Sequence, residues 1–552
     1  MRFALLTLLV WLSGCPARSE TPAVPEPLPA DAYAHYLRGR VAALEGDDET
    51  AAREFERAAI AAPGEASIAV ARVDALLGAR RRRDAESVAR RALERWPELP
   101  EVLLAAGRAY RATRRYATAA GILERARSVA KGDEIREAVA LELGEVRIAQ
   151  ERPEHAAAVY RDLIKLRPGL VAPRVRLLSV LVKRKAFAEA EPVGRSLLEL
   201  RPGHVRGRVL YARALRGLGR AEDALGALKQ AFERSNGRVD VGSQLFDALL
   251  EANDRTAAIS ILELLASAEL GVRDRIRVGR LFLRAGRSER ARELAESVLT
   301  DGPNEDAIAL RASAFASRRQ FRQAAAAIDA LDEAPIWAVA FAVEMLAHAN
   351  LRAEALKRLE TVAAQPHREV ARSRIYELTG DVETARSTLH RARERWSRDR
   401  DVVYALAALE LRAGNHRVSA TLAESLLRAD PDSIQLLNFL GYVLAEGGQE
   451  LKRARQLLDR AKRRAPDSAG ILDSVGWVHL RRGALGDAAH HLYRALRLAP
   501  VEAEILFHVG VLERELGRKR AALRRLRMAK ANALEPSLKL RIDAELTKIT
   551  QP

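Results

Sequence analysis

"ILDSVGWVHLRRGALGDAAHHLYRALRLAP", residues 471–500, carries the pattern that decides the fold. Gly476, Ala488, Ala495 and Pro500 stand 12, 7 and 5 residues apart. Large residues such as Tyr493 fill the intervals, and Gly483 marks a turn near the middle. This is the chemistry of two antiparallel helices. They approach closely only where the crossing residues lack bulk, so a small residue recurs on each. Proline ends the second helix because it cannot continue the backbone ladder.

The same spacing returns along the chain. It is found at Gly39, Ala51, Ala58 and Pro63, and at Gly144, Ala156, Leu163 and Pro168. It is found again at Leu178, Ala190, Leu197 and Pro202, and at Gly279, Ala291, Val298 and Pro303. Gly107, Ala119 and Ala126 keep it, with Lys131 where proline would stand. Pro63 and Pro97, Pro168 and Pro202, and Pro466 and Pro500 each lie 34 residues apart, and Pro431 lies 35 before Pro466. A fixed period of this length signals an array of stacked units. Fifteen can be placed, starting near Ala32, Ala66, Pro100, Glu137, Val171, Val205, Val239, Val272, Asp306, Ala338, Pro366, Arg400, Ile434, Ala469 and Ala503. Composition agrees, with aromatics at 5% and alanine, leucine, arginine and glutamate dominant.

With this period and spacing, 471–500 and "YLRGRVAALEGDDETAAREFERAAIAAP" (36–63) resemble the tetratricopeptide repeat family. The resemblance implies an all-α fold, an α-α superhelix or solenoid of about fifteen helix pairs that share one continuous core. It also implies a concave groove, lined by the first helix of each pair, that binds extended peptides or partner domains without doing chemistry. Units between Asp306 and Ser397 are short and match poorly. The expected organisation is an N-terminal array over 31–304, divergent pairs over 305–398, a second array over 399–534, and a capping helix and tail over 535–552.

The N-terminus is read differently. Phe3 to Leu12 is apolar but only ten residues long. As a helix it reaches about 15 Å, half of a hydrocarbon core about 30 Å thick. Its length suits a secretory signal. Leu12-Ser13-Gly14-Cys15 resembles the lipobox of bacterial lipoproteins, which implies a signal peptide over 1–14 and lipidation of Cys15. Cys15 is the sole cysteine, so it has no disulfide partner within the chain. Five prolines in 16–29 form an extended spacer, completing the segment 15–30. Pro16 directly after the cysteine points to an outer-membrane lipoprotein facing the periplasm, with the inner membrane as the alternative.

The formal charge is +18, and 80 of the 92 basic residues are arginine. That skew suits a GC-rich coding sequence as well as it suits function, and nucleic acid is not the expected partner. In the family, the position after the small first-helix residue faces the groove. It holds Arg40, Arg108, Arg213 and Arg280, a basic stripe suited to carboxylates or acidic segments, against Glu145, Ser179, Tyr442, Trp477 and Val511 in other units. A purely compositional origin stays open. Asn438, Tyr442, Asp473 and Trp477 stand at matching positions of successive first helices. They could hydrogen-bond an extended backbone and stack its side chains, or pack between units.

No phosphate-binding glycine loop, HExxH or G-x-S-x-G occurs in the sequence. The expectation is a protein without catalytic residues, cofactor or metal, apart from the lipid on Cys15. The leading reading is a lipid-anchored scaffold that docks envelope proteins or extended peptide segments, acidic ones included. A glycan- or peptidoglycan-associated accessory subunit is the alternative. Self-association is left open.

Overall fold

The computed structural model describes residues 28–331, 334–363, 365–448 and 450–550. The segment carrying Cys15, the signal peptide and most of the spacer lies outside the described residues. Those residues form helices joined by short turns, in two compact units, one ending at Pro202 and the other beginning at Gly203.

The first unit holds five helix pairs: α1 (Ala30–Glu45) and α2 (Asp48–Ala61), α3 (Ala66–Gly78) and α4 (Arg82–Arg95), α5 (Pro100–Ala112) and α6 (Tyr116–Val129). They are followed by α7 (Asp133–Ala149) and α8 (Pro153–Leu166), then α9 (Ala172–Lys183) and α10 (Phe187–Leu200).

The second unit holds ten pairs and a last helix. Four pairs come first: α11 (Val205–Gly217) and α12 (Ala221–Arg234), α13 (Val239–Glu251) and α14 (Arg255–Ala266), α15 (Val272–Arg284) and α16 (Ser288–Leu299), α17 (Glu305–Ser317) and α18 (Phe321–Ala327). Next are α19 (Ile336–His348) and α20 (Arg352–Glu360), α21 (Pro366–Leu378) and α22 (Val382–Arg395), and α23 (Arg400–Arg412) and α24 (His416–Ala429). Last come α25 (Ile434–Glu446) and α26 (Leu451–Arg464), α27 (Ala469–Arg481) and α28 (Leu485–Leu498), α29 (Ala503–Glu515) and α30 (Lys519–Asn532), and α31 (Pro536–Thr550). Residues 305–398 lie inside this unit.

The fifteen expected pairs are all present, and the fold is the all-α solenoid class that the period implied. The unit placed near Glu137 begins earlier, at Asp133, where Gly132 breaks the preceding turn and two acids open the helix. Close approach explains the small residues. A Cβ on Gly144 would sit 2.3 Å from the Tyr160 ring, and one on Gly476 would sit 2.6 Å from Leu492 Cγ. Ala488 and Ala495, at the other contacts of that pair, are fully buried.

Turns within pairs share one backbone device. Gly46, Gly219, Gly286, Gly380, Gly414, Gly483 and Gly517 take positive φ, the left-handed conformation open to glycine. Arg80, Arg114, Glu151, Lys185, Asn253, Arg319 and Asn350 adopt the same conformation at other turns. No helix among the described residues is long and apolar enough to cross a membrane.

Candidate functional site

In the second unit, the first helices α19, α21 and α23 line a cavity of about 460 Å³ that contains Trp337, His367, Val370 and Tyr404. Next to it, α23, α25, α27 and α29 line another of about 930 Å³, with Tyr404, Asn438, Tyr442, Asp473, Glu502 and Glu504 in its wall. Tyr404 and Arg412 belong to both, so the two form one groove. Their size falls in the range of about 300–1,000 Å³ usual for ligand clefts.

A polar network stands in the larger cavity. His508 Nδ1 donates to Asp473 Oδ2 at 2.8 Å, joining α29 to α27. Tyr442 on α25 donates its hydroxyl to Glu504 Oε1 at 2.7 Å and lies 3.5 Å from His508 Nε2. Burial, followed by the Glu504 and Glu446 carboxylates, holds the Tyr442 hydroxyl well above its usual pKa, so it stays a neutral donor. Burial alone would lower the His508 pKa, but the charge and hydrogen bond of Asp473, with Glu504 behind them, outweigh it and raise it.

The network leaves acceptors over. Asp473 is only 5% exposed, and its second oxygen, Oδ1, has no hydrogen-bond partner among the described residues. Asn438 Oδ1 is in the same position. Buried polar atoms are ordinarily satisfied, and an orphaned acceptor costs about 1–3 kcal/mol.

α31 closes one side. Its Arg541 donates to Glu446 Oε1 at 2.8 Å and lies 4.7 Å over the Phe507 ring. Glu535, just before α31, pairs with Arg374 on α21.

Asn438, Tyr442 and Asp473, three of the four residues singled out from this stretch of sequence, line the cavity together. Trp477 lies behind it. Its indole nitrogen donates to Glu446 at 2.7 Å and its ring stacks on His508, with centroids 4.1 Å apart.

The arginines stand elsewhere and largely face the chain's own acceptors. Arg108 reaches Asp74 at 3.1 Å, and Arg280 reaches Asp306 at 2.5 Å. Arg213 donates to Gln244 Oε1 at 2.9 and 3.0 Å in a cavity of about 900 Å³ shared with Arg216, Arg284 and Asp467. Arg40 is exposed. Among the described residues no cluster of three or more histidine, cysteine or acidic side chains is placed to hold a metal.

The tetratricopeptide repeat family pattern matches residues 19–66, 70–134 and 404–469. These three segments match the tetratricopeptide repeat. Over 85 residues it is 39% identical to the TPR repeat-containing protein PA4667 of Pseudomonas aeruginosa, a match that covers 15% of this chain and 14% of that protein. The matched segment thus spans well under a fifth of that relative. Among solved structures the chain is similar to the APC/C hetero-tetramer Cut9–Hcn1, with 15% identity, a TM-score of 0.35, and coverage of 82% of this chain and 93% of that one. It is also similar to Pseudomonas aeruginosa PilF, with 18% identity, a TM-score of 0.33, and coverage of 38% and 95%.

The last matched segment, 404–469, includes Tyr404, Asn438 and Tyr442 of the groove wall. Glu502, Glu504, His508 and Arg541 also belong to the site, although sequence reasoning did not single them out. The available signal was His508 itself. It stands in the apolar run Ile505–Val509, where burial forces a histidine to find a partner.

Proposed function

We propose that the protein is a non-catalytic docking scaffold, tethered to a bacterial envelope membrane by a lipid on Cys15. The groove along α19 to α29 receives an extended segment of a partner, and the array gathers components of an envelope machine. Outer-membrane assembly, pilus or motility complexes and polysaccharide export are the candidate machines. The outer membrane, with the body facing the periplasm, is the proposed location. Tetratricopeptide repeats are protein-interaction units, which supports the scaffold role. The observation that carries the reading is the cavity of about 930 Å³ that Asn438, Tyr442 and Asp473 line together, large enough for peptide side chains.

A photo-crosslinking residue at position 438, introduced in intact cells, tests this. One set of envelope proteins should crosslink, and Cys15→Ser should release the protein from the membrane fraction and lose them. A protein that stays soluble in both forms, with no crosslinked partner, would sink the proposal.

A further inference from the structure

The groove reverses the charge of the chain around it. The protein carries a formal +18, yet Asp473, Glu502, Glu504 and Glu535 line the larger cavity against Arg412 and Arg541, and both arginines already pair with carboxylates of their own chain, Glu377 and Glu446. Desolvation, and after it repulsion from Glu504 and Asp473, push the Glu502 carboxyl up. Asp473 and Asn438, which line the cavity, each also hold a buried oxygen, Oδ1, without a donor among the described residues. The chain already supplies one example of the fitting chemistry. Arg541 lays its guanidinium between the Glu446 carboxylate and the face of Phe507.

Building on the docking groove, we propose that it takes a protein segment bearing an arginine or lysine, whose cationic head group sits among the carboxylates of Asp473, Glu502 and Glu504, with Asn438 beside them. Arg541 holds the adjoining position on Glu446 and competes for it. The segment is therefore cationic, the opposite of what the arginine stripe suggested, since Arg108 and Arg280 already face acids of their own chain.

The test uses the full chain and two fluorescein-labelled nine-residue peptides, one alternating alanine with arginine and the other alanine with glutamate. Anisotropy is read at about 0.15 M salt, where exposed charges are screened beyond roughly 8 Å. The arginine peptide should bind despite the protein's positive charge. Asn438→Ala and the surface change Glu502→Gln should each weaken it about tenfold, with unchanged circular dichroism melts. Arg541→Ala should tighten it several-fold by freeing Glu446. Binding of the arginine peptide that ignores all three variants would overturn the inference, as would a glutamate peptide that competes for the same site. In-cell crosslinking at position 438 separates this from the docking proposal. An acidic or apolar captured segment leaves docking standing and defeats the cationic assignment, whereas no capture defeats docking itself.

Discussion

His508 on α29 donates to Asp473 on α27 at 2.8 Å, with the imidazole fully buried and stacked on Trp477. The bond ties two successive repeats together through their first helices. It also couples the stability of this end of the array to protonation.

The sign follows from the direction of the shift. The folded-state pKa of His508 lies above its ordinary value of 6.5. Its contribution is therefore complete below pH 6.5 and lost as pH rises through the folded value. Thermal melts of wild type and His508→Gln, measured from pH 5.5 to 9, should show a difference that is largest at the acid end and shrinks with pH. A difference that grows with pH would contradict the assignment.

A second prediction concerns Gly144, whose added Cβ would meet the Tyr160 ring at 2.3 Å. Gly144→Ala should destabilise the first unit, because overpacking costs about 1–3 kcal/mol. That exceeds the gain of about 1 kcal/mol from replacing glycine inside a helix. In a Tyr160→Leu background the clash is removed and the same change should become stabilising. Denaturant midpoints of the four proteins check this, and a destabilisation that persists in the leucine background would show that the ring is not the obstacle.

The period, the proline stops and the small crossing residues were legible in the sequence because each answers to local geometry repeated every 34 residues. Gly476 facing Leu492 is fixed by the pair it sits in. Asn438, Tyr442 and Asp473 were legible for the same reason, since successive repeats place matching positions on one surface. The partners were not. Asp473 to His508 spans 35 residues, Tyr442 to Glu504 spans 62, and Glu446 to Arg541 spans 95. Those contacts depend on how repeats rotate against each other and on where α31 folds back, and no spacing within one unit encodes either. The arginine stripe shows the same limit. Repetition revealed Arg108, and Asp74, which faces it, stands one 34-residue period earlier at the equivalent first-helix position, so what the period could not show is that the two side chains pair with each other.

Arg114 ends its helix with φ at 63°, in the conformation that Gly414 adopts at the equivalent turn of another pair. A side chain in that region costs about 1–2 kcal/mol, part of which glycine's greater unfolded-state freedom offsets. Arg114→Gly should therefore raise stability by about 0.5–1 kcal/mol, and Gly414→Val should lower it by more. Opposite shifts in melting temperature are the expected result, and a loss on Arg114→Gly would mean that the arginine side chain contributes more than its backbone costs.

The open end of a repeat stack needs a helix with one apolar face and one solvated face. α31 serves this end, with Ile542 fully buried and Leu538 8% exposed against the last pair. Ion pairs also tie it to that pair, Lys530 of α30 with Asp543 and Arg514 of α29 with Glu545. Burying each aliphatic side chain is worth about 1.5–3 kcal/mol, so Ile542→Asp should detach the helix and bare the apolar end of α29 and α30. An uncovered surface of that kind drives association. Sedimentation velocity should show Ile542→Asp shifting to larger species as concentration rises. Arg541→Ala, which keeps the apolar face, should match wild type. Equal sedimentation of Ile542→Asp and wild type, with equal melts, would show that the stack closes without α31.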